Sequence, residues 1–245
     1  MVSYFIGLAM ASILYMFQLI YGQMVMTSII EEKNNRVLEL VVSSVKPQIL
    51  MLGKILGIAA VALTQIVIWG VIVASVSMWV LPLINSGISS TDPELAGVMD
   101  MLGNTGYMAS LFGYITLFMV FGFMLYAAMF AAIGSAVDNI NDASQLTTIA
   151  TVPVIFGLIF SMMVLNDPNS TLAVWLSMIP LTSPMVMMSR IAFGIPTWQI
   201  WVLLAILVAS VFGIVWVAAK IYRVGIFMYG KKPKIGDLIK WARYK

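Results

Sequence analysis

The chain contains no cysteine and no histidine, and only 9% of its 245 residues are charged. Without cysteine there is no disulfide and no thiol nucleophile. Without histidine there is no imidazole base, and zinc or haem ligation through either side chain is excluded. Catalysis of a familiar kind is not expected from what remains. The shortage of charge is equally informative, since about a quarter of the residues of a soluble domain carry charge. What stands in its place is apolar: 62% of the residues are hydrophobic and the mean hydropathy is +1.02. The expectation is an all-α integral membrane protein. The net charge of +3 is small and favours no nucleic-acid partner; it matters through its placement, because lysine and arginine near span ends set orientation.

Five apolar runs are long enough to cross a ~30 Å hydrocarbon core, which takes about 20 helical residues. They fall at about 4–28, 49–84, 107–137, 143–165 and 198–219, in one transmembrane domain over 1–245. The first is no signal peptide, since it lacks a basic start, is too long, and ends in charge. Pro47 fits the start of the second, with Lys54 placed to snorkel and Gly53 and Gly57 spaced for close helix approach. Asn85 to Gly106, with Asp92, Glu94 and Asp100 and no basic residue, reads as an external loop. Ala127, Ala131 and Ser135 give the third span a small-residue face. Asp142 and Gln145 match a capping box opening the fourth, which Pro153 is expected to kink. Asp138 and Asp142 read as cap and loop carboxylates rather than metal ligands.

Two segments depart from this pattern. Thr171 to Pro180 and Ser183 to Phe193 are each too short to span, and Pro180 and Pro184 interrupt them. They predict an external re-entrant helical hairpin over about 171–193, its second arm bounded by Ser183-Pro184 and by Gly194 with Pro196. The other is a charged island, Ile30 to Lys46, in an otherwise almost uncharged stretch. On a helix over about 30–44, Ile30, Val37, Leu38 and Val41 gather on one face and Glu32, Arg36, Glu39 and Ser43 on the other. The spacings Glu32 to Arg36 and Arg36 to Glu39 add ~0.2–0.5 kcal/mol each. This surface helix reads equally as a connector between spans or as a docking surface for a soluble partner.

The tail, 220–245, is basic, and Leu238, Ile239 and Trp241 alternate with Lys240 and Arg243 as in a short interfacial helix against membrane lipid. Of the 13 basic residues, all but Arg190 lie in the island, at the start of the second span or in the tail. Those segments are expected in the cytoplasm of a cell-membrane protein, with the C-terminus inside and Met1 outside. An external start without a signal predicts that a preceding span and an external domain are missing.

The run EEKNNRVLELVVSSVKPQILMLGKILG resembles the signature of the type 2 ABC exporter permeases, the ABC-2 membrane family, and its NatB-like branch. Its acidic pair, arginine, Leu-Glu step, small-residue turn and Gly-Lys are here Glu31, Glu32, Arg36, Leu38, Glu39, Ser43, Ser44, Gly53 and Lys54. IPLTSPMVMMSR and KIYRVGIFMYGKKP, on either side of the last span, extend the resemblance over almost the whole chain. It implies a non-catalytic permease subunit that binds no cofactor, with ATP and Mg held by a separate ATP-binding subunit. That subunit would contact Glu31, Glu32, Arg36, Glu39 and Ser43 of a coupling helix packed through Ile30, Val37, Leu38 and Val41. A second permease copy or paralogue would complete the path. The residues agree in two respects. No span carries an ionisable residue near its middle, where one costs ~2.5–3.5 kcal/mol and marks an ion relay. Gly53-Lys54 is followed by Ile55 and Gly230-Lys231 by Lys232, where a phosphate-binding loop needs Ser or Thr. The alternative is an ion-driven transporter or channel with Gln18, Gln65, Ser75, Ser77 and Thr116 as intramembrane polar groups. The substrate, whether sodium, drug, peptide or lipid, is not legible.

Overall fold

The structure, a computed structural model, describes residues 2–35, 45–80, 103–228 and 235–243. In chain order the helices are α1 (Val2–Asn34), α2 (Pro47–Ser75), α3 (Thr105–Ala136), α4 (Ile140–Val164), α5 (Thr171–Met178), α6 (Ser183–Ile191), α7 (Thr197–Gly225) and α8 (Ile235–Arg243). A π-helical turn, Val76–Val80, continues α2. Among the described residues, α1, α2, α3, α4 and α7 are long and apolar enough to cross a membrane. The protein is an all-α, multi-pass membrane protein.

Helix α3 is the centre. Phe118, Phe123, Tyr126, Ala127, Phe130, Ala131 and Ser135 along it are all buried, and it packs chiefly against α1 and α7. Its small residues serve the close approach expected of them: a Cβ on Gly134 would lie 2.8 Å from the Met26 carbonyl oxygen of α1. Helix α2 packs less closely and presents Leu56, Val67, Ile68, Val71 and Ile72 outward. Gly53 and Gly57 also face open space, so among the described residues their spacing brings no helix near.

Several boundaries differ from expectation for local reasons. Helix α1 does not end near Ser28 but runs through Ile30 to Asn34, because no proline or glycine intervenes and its lower charges find partners. Its 33 residues make about 50 Å of helix, longer than a ~30 Å core. Helix α7 likewise continues past Ala219 to Gly225, taking in the start of the basic tail with Lys220 and Arg223. The capping box at Asp142 is not formed. Asn139 is the extended N-cap residue of α4, and Asp142 stands in the first turn, where a negative charge complements the helix dipole. Helix α4 passes through Pro153 unbroken. Residues 36–44, most of the charged island, and 81–84, the end of the second expected span, lie outside the described residues.

The hairpin forms. Ser170 caps α5, accepting from the Ala173 amide, and Gly194 ends the second arm at φ +74, a backbone region that favours glycine. Its tip rests against the middles of the neighbouring helices. A Cβ on Gly122, halfway along α3, would lie within 3.0 Å of the Pro184 ring, and one on Gly157 of α4 would strike the Met185 sulfur. The Tyr126 hydroxyl of α3 donates to the Leu181 carbonyl in the turn. The short amphipathic helix α8 lies over an apolar groove between α3, α4 and α7, with Leu238, Ile239 and Ala242 among its lining.

Candidate functional site

The charged end of the bundle is built on Lys33. It sits in the last turn of α1, and Met26, Ile29 and Ile30, seven, four and three residues before it, are all buried. Its spacing therefore turns it onto the apolar stripe of the helix. The ammonium is wholly buried. It donates to the Ser135 carbonyl at 2.9 Å and to the Gly225 carbonyl at 3.0 Å, and ion-pairs with Asp138 at 2.9 Å. Both carbonyls belong to the final turns of their helices, α3 and α7, where C=O groups lack intrahelical partners and carry the negative end of the dipole. One ammonium thus satisfies the ends of two helices and a carboxylate from the link between α3 and α4. The backbones meet closely enough that a Cβ on Gly225 would lie 3.0 Å from the Ser135 carbonyl oxygen.

A second clamp lies alongside. The Lys54 ammonium of α2 donates to the Ser28 carbonyl at 2.9 Å and to the Ser28 hydroxyl at 3.1 Å, and pairs with Glu32 at 2.7 Å. It turns toward α1 instead of reaching freely for the membrane surface. Through these two lysines the base of α1 is tied to α2, α3 and α7. Lys54 belonged to the recognised sequence pattern. Lys33 did not, although its place at i+3, i+4 and i+7 of an apolar stripe is a readable sign.

Of the residues expected on the coupling helix, Ile30, Glu31 and Glu32 belong to the end of α1. Ile30 is buried, Glu31 is exposed, and Glu32 is held by Lys54. Arg36, Val37, Leu38, Glu39, Val41 and Ser43 lie outside the described residues. The candidate polar path is dispersed. Gln65 of α2 accepts from the Tyr21 hydroxyl of α1. Ser75 and Thr116 donate to carbonyls of their own helices, Val71 and Phe112, and the Ser77 side chain is not among those described. Gln18 is wholly buried in the bundle.

At the opposite end Arg190, 1% exposed, locks the hairpin. Its guanidinium donates to the Pro168 carbonyl at 2.8 Å, the Ser177 hydroxyl at 2.8 Å and the Gln199 side-chain oxygen at 3.0 Å. Burial lowers its pKa, yet an arginine stays charged at any physiological pH.

Comparison with known proteins adds the family. A model described as ABC-2 family transporter protein matches residues 1–220. This chain belongs to the ABC-2 family. Two uncharacterized proteins are similar to it: YhaP of Bacillus subtilis, 32% identical over 90% of this chain and 51% of its own length, and MJ1024 of Methanocaldococcus jannaschii, 28% identical over 93% and 51%. The ABC-2 chain thus spans about half the length of the curated relatives it matches. No solved structure matches it. The matched region contains the Lys54 clamp and, around Lys33, Ser135 and Asp138 but not Gly225.

Proposed function

We propose that this ABC-2 chain is the permease subunit of an ATP-driven exporter, energised by a separate ATP-binding subunit that docks on its charged end. The family supports the permease role. The observation that carries the mechanism is the tie at Lys33. The segment expected to receive the partner, 36–44, follows α1 directly, and the last turn of α1 is joined through one buried ammonium to the ends of α3 and α7. Breaking a buried ion pair by removing one partner costs ~3–5 kcal/mol, so force applied below Asn34 shifts those helix ends with α1 before it separates from them. Lys54 carries the same displacement to α2.

The charged end is cytoplasmic in this reading, since it holds the basic residues of the island and the tail. Glu31, exposed, contacts the ATP-binding subunit together with Arg36, Glu39 and Ser43, while Glu32 transmits through Lys54. ATP and Mg belong to the partner. A second permease copy or paralogue faces the open side of α1. That side carries Ser12, Gln23, Thr27 and Glu31, in two depressions that share Ile20. Lipid is a poor solvent for such a row of polar groups, which supports a hydrated path or a protein partner there.

Purification of the chain from its native membranes tests the assignment. An ATP-binding subunit should be retained, and Glu31→Lys combined with Arg36→Glu should release it. Recovery of the intact permease with no ATPase, or retention unchanged by the charge reversal, contradicts it.

A further inference from the structure

Gln18 lies halfway along α1, wholly buried, and neither of its amide atoms has a hydrogen-bond partner among the described residues. Its nitrogen is 2.5 Å from the position a Gly122 Cβ would take, and Pro184 Cβ and Cγ are 3.0 and 2.9 Å from that same point. The amide therefore lies against the first turn of α6, at the hairpin tip. Ser183, the residue beside Pro184, is 1% exposed, and its hydroxyl is likewise without a hydrogen-bond partner among the described residues. Inside a membrane bundle an unmatched amide costs several kcal/mol. Replacing Gln18 by leucine would remove that cost, so a structural role does not account for it.

We propose that Gln18 and Ser183 form a ligand site at the middle of the bundle, closed here by the hairpin tip, which takes an uncharged amide or hydroxyl group of the transported molecule. This rests on the reading of the chain as a transport subunit. The chemistry follows from the donor set. A glutamine amide and a hydroxyl both donate and accept, which matches an amide or alcohol, and neither brings a charge to balance an ion. A bare cation needs about six oxygen ligands, and the two side chains supply two. The charged groups that hold the bundle together are engaged elsewhere, Lys33, Lys54, Glu32 and Asp138 at one end and Arg190 at the other. Lifting the tip breaks the Tyr126 bond to Leu181, which fastens the turn to α3, whereas Arg190 holds the other end of α6 in place.

The absence of cysteine makes the test direct. Gln18→Cys and Ser183→Cys are introduced singly into the full complex with its ATP-binding subunit and exposed to the neutral reagent hydroxyethyl methanethiosulfonate. Labelling should rise about tenfold or more during ATP turnover, as when a conformer populated at a few per cent becomes dominant. The cationic trimethylammonium-ethyl reagent should react more slowly at both positions, and the outward-facing Phe212→Cys should not respond to ATP. Equal labelling with and without ATP overturns the closed site, and faster labelling by the cationic reagent overturns the ligand class. No labelling while the complex hydrolyses ATP overturns the proposal and leaves the transporter reading standing; no hydrolysis by the complex removes both. As a separate check, Gln18→Leu should leave the unfolding midpoint unchanged or raise it. A fall shows that Gln18 serves the fold and overturns the proposal.

Discussion

Lys33 is the residue on which the charged end depends. Lys33→Met removes the cation that pairs with Asp138 and the donor to two helix-terminal carbonyls, and should destabilise the bundle by ~3–5 kcal/mol in denaturant unfolding. Adding Asp138→Leu should recover part of that loss, because a buried ion pair exchanged for apolar groups is often neutral, while the Ser135 and Gly225 carbonyls still lack the ammonium. Additive losses would mean that the two residues do not act as a pair. At Gly134 the Cβ of an alanine would meet the Met26 carbonyl at 2.8 Å, so Gly134→Ala should cost ~1–3 kcal/mol by the same measurement. The small residues of α3 were readable as a packing face from their spacing alone. Lys33 was harder to read, since a sequence shows the charge but not the helix ends that converge on it: Ser135 and Gly225 are 102 and 192 residues away.

At the scale of elements, the hairpin is the part that local chemistry specifies best. Its prolines and Gly194 bound two arms too short to span, and the arms formed where those signals lie, although Thr182 rather than Ser183 stands at the N-cap of the second and Ser170, which caps the first, was not read. What the signals omit is the lock. Arg190→Lys keeps the charge and loses the planar fork that reaches Pro168, Ser177 and Gln199 together. With charged hydrogen bonds worth ~1.5–3 kcal/mol, amide exchange across 183–191 should quicken by about tenfold or more. Exchange unchanged from the parent would show that Arg190 does not hold the hairpin. Helices α1 and α7 outran their expected ends for the opposite reason, because charge marks where a membrane stops but does not stop a helix. The capping box failed because Asn139, rather than Asp142, takes the extended backbone that begins α4.

For the whole molecule, hydropathy and length made the five long helices legible, and the resemblance in the charged island agreed with the family match. The packing order, with α3 at the centre and α2 least enclosed, was not legible, because apolar spans of similar composition do not announce their neighbours. If force enters at the base of α1, the ATP-binding subunit lies within cross-linking reach of that point. Glu31→Cys, exposed at the charged end, provides a single thiol in a chain with none of its own. A short bifunctional reagent applied to native membranes should join it to an ATP-binding subunit, with a yield that changes when ATP is trapped by vanadate. The same reagent at Asn169→Cys, at the hairpin end, should give no such product. Joining from Asn169 but not from Glu31, or a Glu31 yield indifferent to nucleotide, would contradict the account.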